Sequence, residues 1–202
     1  MLEINPDRFG ALFKESALKG FEKNEVVHYD KTLEINPKDF EELFNVGVGL
    51  GKLKKTDQAI ACYDKALEIN PNHVNTLFNK GAELARLGKQ EDAMICYDKI
   101  LEINPNHVNT LCNKGVALTK LGRLDEAMLS YDKVLGINPN HVNTLSNKGA
   151  VLCFLEKYEE GITYFDKVLE INPEHVDVKN NKELALVKLD QKQNQTFLKV
   201  KI

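Results

Sequence analysis

An all-α solenoid of stacked antiparallel helix pairs is the fold class this 202-residue sequence predicts, and three observations carry it. All six prolines (Pro6, Pro37, Pro71, Pro105, Pro139 and Pro173) end a Leu-Glu-Ile-Asn-Pro segment, or Leu-Gly-Ile-Asn-Pro before Pro139. Their separations are 31 residues and then 34, four times over. A fixed period of this size marks stacked supersecondary units, none of which can bury its apolar face alone. Each period also holds two runs with helical spacing, separated by a short polar joint.

The elements follow in order. Residues 1–6 read as the end of a preceding repeat, and 7–37 as a shortened first repeat, with Glu25 where later units carry Ala59, Ala93 and Ala127. Repeats then occupy 38–71, 72–105, 106–139 and 140–173. In 72–105, Leu77, Gly81, Leu84 and Gly88 recur at steps of four, three and four, one stripe of a first helix. Gly88 supplies its left-handed stop. Ala93, Tyr97, Ile100 and Leu101 share a face of the second helix, and Pro105 closes it. Gly81 and Ala93 are the small residues that let the pair approach. Asn72, Asn106 and Asn140, just before each first helix, are expected to cap it. Residues 174–190 read as a lone capping helix whose Lys179 and Glu183 replace the Leu and Gly of the stripe, leaving 191–202 as a tail.

The run Leu77-x2-Lys80-Gly81-x2-Leu84, then Ala93-x3-Tyr97, then Pro105, resembles the tetratricopeptide repeat (TPR) signature, whose 34-residue period it shares. The match recurs from Leu43 to Pro71, Leu111 to Pro139 and Leu145 to Pro173. Leu stands for the signature Trp and Tyr, and Lys80, Lys114 and Lys148 occupy a usually apolar position. The resemblance implies a right-handed superhelical solenoid whose concave face holds an extended peptide or partner segment.

Charge and motifs narrow the function. With 27 basic and 30 acidic side chains the net charge is −3, which gives no electrostatic basis for nucleic acid or an acidic membrane surface. No apolar run approaches the roughly 20 residues that span a bilayer, and no leader pattern opens the chain. Four cysteines without close pairing predict reduced thiols and a cytoplasmic location. Gly47-Val48-Gly49-Leu50-Gly51-Lys52 is no phosphate loop, which would need Gly at Val46 and Ser or Thr at Leu53. The periodic His73, His107, His141 and His175 cannot converge on one ion, because stacked equivalents sit about 8–10 Å apart. The chain is therefore expected to be no enzyme and to take no cofactor and no metal.

A second stripe on the first helices is the candidate binding surface. Stacking turns it into rows: Asn45, Asn79, Asn113 and Asn147; Glu41, Asn75, Asn109, Asn143 and Asp177; and a third that is basic for three units and again at the end, Lys52, Arg86, Lys120, Phe154 and Lys188. Asparagine amides both donate and accept, so such rows suit the main chain of an extended ligand, or alternatively brace neighbouring helices. The basic row would attract acidic residues, with Arg86 able to grip a carboxylate in bidentate fashion. The carboxylate clamp of chaperone-binding TPR domains is not reproduced, since Phe44 or Phe78 replaces its lysine. The stretches Asn70–Gly81, Asn104–Gly115 and Asn138–Gly149 agree at eleven of twelve positions, differing only at Phe78, Cys112 or Ser146. That pattern predicts a groove graded from an aromatic anchor at Phe44 and Phe78 to a small polar end.

The function expected is non-enzymatic protein–protein interaction: an extended segment, with acidic residues, bound along this stripe. The alternative is a self-assembling scaffold that associates through its terminal repeats or tail.

Overall fold

The structure is a computed structural model that describes residues 39–200, with side chains through Asn194. The expectations for residues 1–37 lie outside the described residues. Every regular element described is an α-helix: α1 (Phe40–Lys52), α2 (Thr56–Ile69), α3 (Val74–Arg86), α4 (Gln90–Ile103), α5 (Val108–Lys120), α6 (Leu124–Ile137), α7 (Val142–Phe154), α8 (Tyr158–Ile171) and α9 (Val176–Val200). Odd-numbered helices are the first helices and even-numbered ones the second. They fall into two compact units divided at Gly122, inside the 106–139 repeat: α1–α5 and α6–α9.

The joints explain why the Asn-Pro-Asn-His motif repeats. In Asn70-Pro71-Asn72-His73 the His73 N–H donates to the Asn70 carbonyl at 3.3 Å, a four-residue turn with proline at its favoured second position. The same bond closes at His107, His141 and His175. The first asparagine of the motif also caps its own turn, as when the Asn106 N–H donates to Asn104 Oδ1 at 3.2 Å. The N-cap is the histidine, one residue beyond the asparagine expected. His73, His107 and His141 each accept the backbone N–H three residues on. Asn72, Asn106 and Asn140 instead occupy the third position of the turn, where their side chains are too far back to cap.

At the opposite ends, Gly88 (φ 82°) and Gly122 (φ 74°) are left-handed as expected. The Gly88 N–H reaches the Ala85 carbonyl and Lys89 N–H the Leu84 carbonyl, a Schellman stop. Lys54 (φ 59°) and Glu156 (φ 57°) hold the same conformation with side chains that disfavour it.

Within three of the pairs, one first-helix glycine lies under the ring of the following second helix. A Cβ on Gly47 would sit 2.5 Å from the Tyr63 ring, on Gly81 2.6 Å from Tyr97, and on Gly149 2.7 Å from Phe165. The facing alanines Ala59 and Ala93 are completely buried. In the α1–α5 unit each second helix packs in turn on the next first helix, and α1, α3 and α5 touch in series. In the α6–α9 unit α7 packs on α6 and α8, and α9 on α8, around a core of Leu145, Phe165, Val168, Val178 and Ala185. Helix α9 does not stop near residue 190 but runs on to Val200. Lys192 pins its extension: its ammonium donates to the Glu156 carbonyl at 3.0 Å and lies 5.6 Å from the centre of the Tyr158 ring.

A recurring ion pair accounts for the unusual lysines. Lys80, Lys114, Lys148 and Lys182 each bond an aspartate sixteen residues earlier, on the preceding second helix: Asp64, Asp98, Asp132 and Asp166. Three of these pairs join a half-buried lysine to an exposed aspartate and contribute about 1 kcal/mol each. Lys148 differs, with only 9% of its side chain exposed and its ammonium 4.8 Å from the centre of the Tyr164 ring. Burial alone would push its pKa down, but the bonds to Asp132 and Tyr164 outweigh that and raise it.

Candidate functional site

The stripe of first-helix residues divides into two kinds of position. On the outer row, Asn75 and Asn109 are exposed and Asn143 is half-buried. The inner row turns inward. Asn79 is 6% exposed and hydrogen-bonds the Tyr63 hydroxyl, while the half-buried Asn113 does the same for Tyr97. Asn147 is 2% exposed and its Nδ2 has no partner. Asn45, which has no preceding tyrosine among the described residues, is exposed. The bracing alternative thus describes Asn79 and Asn113, which tie each first helix to the second helix before it. Burial pushes the Tyr63 and Tyr97 hydroxyls well above the ordinary tyrosine range, against a smaller lowering effect of the Asn79 and Asn113 amides.

The aromatic positions are also committed to packing. Phe44 is half-buried and lies edge-on to the His73 ring at 5.4 Å, and Phe78 is tilted against His107 at 5.9 Å. The equivalent Cys112 and Ser146 are buried at 3% and 2%, so neither offers a small polar surface. The expected grading of the groove is therefore not what the structure shows: with no ring to hold them outward, the smaller side chains sink beneath their neighbours.

The basic row separates likewise. Arg86 bonds both Glu83 and Thr56, so its guanidinium is satisfied within the fold rather than held open for a ligand. Lys52 and Lys120 are exposed and make no ion pair among the described residues. Desolvation pushes the Lys120 pKa down. In the α1–α5 unit the accessible stripe is thus Asn45, Lys52, Asn75, Asn109 and Lys120, flanked by the half-buried Phe44 and Phe78.

The partners of these residues carried a signal in the sequence. Tyr-Asp at 63–64 and 97–98 precedes Asn-Lys at 79–80 and 113–114 by sixteen residues, and each dipeptide pair forms two bonds of one repeat interface. Glu83 and Thr56, which hold Arg86, occur in one repeat only and gave no periodic signal. Among the described residues no group of three His, Cys, Asp or Glu is placed to hold a metal ion, and no helix is long and apolar enough to cross a membrane.

A stack of short helix pairs with a polar, side-chain-rich stripe on its first helices belongs to the class of helical-repeat proteins. The tetratricopeptide repeat model matches residues 40–73, 74–107 and 108–141, and a second tetratricopeptide repeat model matches 142–175. The chain belongs to the tetratricopeptide repeat family, and it is a protein-interaction or scaffold module. The chain is 25% identical to a tetratricopeptide repeat protein from Parabacteroides merdae ATCC 43184, with TM-score 0.67 over 77% of this chain and 60% of that one. Against MamA (residue 41 to the end) from Desulfovibrio magneticus RS-1 the identity is 21% and the TM-score 0.64, over 68% of this chain and 77% of that one. The MamA AMB-1 structure is 26% identical with TM-score 0.59, covering 67% of this chain and 74% of that one. No curated protein sequence matches the chain.

Proposed function

We propose that the α1–α5 unit binds an extended, acidic segment of another protein along its first-helix stripe, without catalysis. The observation that carries this reading is the accessible set of Asn75, Asn109, Lys52 and Lys120, unpaired polar groups on helices whose inner faces are fully engaged. The two amides exchange hydrogen bonds with ligand main chain. Lys120, an exposed cation at the end of α5, attracts a carboxylate. Phe44 and Phe78 offer only their outer edges to an apolar residue. On Asn143 and Asn147 the reading is more limited: Asn143 is half-open, whereas Asn147 contributes through packing. Four free thiols fit the cytoplasmic setting that belongs to the same proposal.

The test is a paired capture from source lysate with the wild-type chain and an Asn75→Ala, Asn109→Ala, Lys120→Glu variant, checked for equal helicity and melting. A protein held by the wild type and lost by the variant supports the stripe; equal retention by both, or by neither, overturns it. The scaffold alternative rests on the exposed Leu184, Leu186 and Val187 of α9. Mass by light scattering that rises with concentration would favour it.

A further inference from the structure

Helix N-caps commonly use a hydroxyl, an amide or a carboxylate; here three use an imidazole. At His73, His107 and His141 the Nδ1 atom accepts the threonine backbone N–H three residues on at 3.3 Å and lies 2.8 Å from that threonine's Oγ1. Thr76, Thr110 and Thr144 are completely buried, so water cannot take over these bonds. The arrangement needs a neutral ring with its proton on Nε2. A second proton, on Nδ1, can still be donated to the threonine Oγ1 but confronts the backbone N–H donor to donor. It also adds positive charge at the positive end of the helix dipole.

We propose that His73, His107 and His141 form an acid-sensitive latch, whose protonation releases the first turns of α3, α5 and α7. Aromatic rings rather than carboxylates lie against two of the three imidazoles. His73 faces the rings of Phe40 and Phe44, and His107 faces Phe78. The charged residues at the adjoining ends of the packed elements are Asp39, Glu41 and Glu42 at the start of α1, Glu68 and Glu102 in the last turns of α2 and α4, and Lys133 in α6, all of them exposed. None of the ion pairs among the described residues includes a histidine. Lys80, Lys114 and Lys148 on the same helices are held by their aspartates. Burial lowers the pKa of His141, and of His107 against a smaller opposing backbone bond. A base whose folded pKa is depressed binds more protons when unfolded. Stability is therefore full above about pH 7 and drains away as pH falls below about 6.5 towards the folded pKa.

His175 is an internal control, because Val178 stands where the other caps have threonine. The experiment compares the full chain with a His73→Asn, His107→Asn, His141→Asn variant and with His175→Asn, at about pH 7.5 and about pH 5. Asparagine caps a helix without titrating there. Acidification is expected to lower the melting temperature of the wild type and of His175→Asn by several degrees more than that of the triple variant. Amide protection, corrected for intrinsic exchange, should drop in residues 76–77, 110–111 and 144–145 of the wild type alone. Equal acid sensitivity in wild type and triple variant, or its loss in His175→Asn, overturns the latch. If the triple variant does not fold, His107→Asn alone decides by protection at 110–111.

Discussion

Two asparagines four residues apart on one helix show how a residue's position sets its role. Asn75 is exposed, whereas Asn79 sits beneath the surface against Tyr63. Asn79→Ala leaves the buried Tyr63 hydroxyl without that partner and should cost about 1–3 kcal/mol in urea unfolding. Asn75→Ala should stay within about 0.5 kcal/mol. Similar losses at both positions would contradict the division of the stripe. Phe165 replaces the tyrosine of the other repeats, and Asn181, which stands sixteen residues on, keeps a buried Nδ2 without a partner. Phe165→Tyr supplies the missing hydroxyl and should raise stability by about 1 kcal/mol; a loss would mean the ring has no room for it. At this scale the sequence showed which residue types recur, but not which way each amide turned. A helical stripe is continuous around its edge, and a shift of one position decides between solvent and a neighbouring ring.

Among the elements, the helix stops were legible and the starts were not. Gly88 and Gly122 announced their left-handed residue, and the same joint recurs at Lys54 and Glu156 with Schellman bonds intact. Lys54→Gly and Glu156→Gly relieve a left-handed penalty of about 1–2 kcal/mol, less the chain entropy that glycine adds in the unfolded state. Each should therefore raise the urea midpoint by about 1 kcal/mol of stability, and an unchanged or lower midpoint would contradict the assignment. The N-cap was misplaced by one residue because histidine is a rare cap and the asparagine before it a common one. Only the turn geometry, with proline at its second position, puts the histidine rather than the asparagine at the cap. Helix α1 carries Gly49 and Gly51, each costing about 0.5–1 kcal/mol relative to alanine. A Cβ on Gly51 would lie 2.8 Å from Glu83 Oε1, the end of a flexible side chain that can move aside, whereas one on Gly47 would meet the Tyr63 ring at 2.5 Å. Amide exchange should be fastest in α1 among the first helices described, and slower exchange there than in α3 or α5 would refute this.

Across the whole molecule the four free thiols report on packing. Cys96, Cys112 and Cys153 are buried and Cys62 half-buried. Burial pushes the thiol pKa up at Cys62 and Cys96, and up to about 12 at Cys153. The thiolate is the reactive form, so at about pH 8 an aromatic disulfide reagent should label Cys62 first. The buried thiols should follow only as fast as the chain opens, and urea that unfolds the protein should make all four react together. Immediate labelling of Cys153 in the folded chain would show that its core is not closed.

Periodicity by itself determined the all-α class, the pairing of helices, their glycine stops and the membership of a repeat family. It did so because each of these follows from local spacing copied from unit to unit. Tertiary structure alone decided which stripe residues remain available to a partner. Asn79, Arg86 and Ser146 look like groove residues on a helical wheel, yet Tyr63, Glu83 and the surrounding helices claim them. Availability is a property of the neighbour across the interface, and that neighbour is set by packing rather than by spacing within one helix.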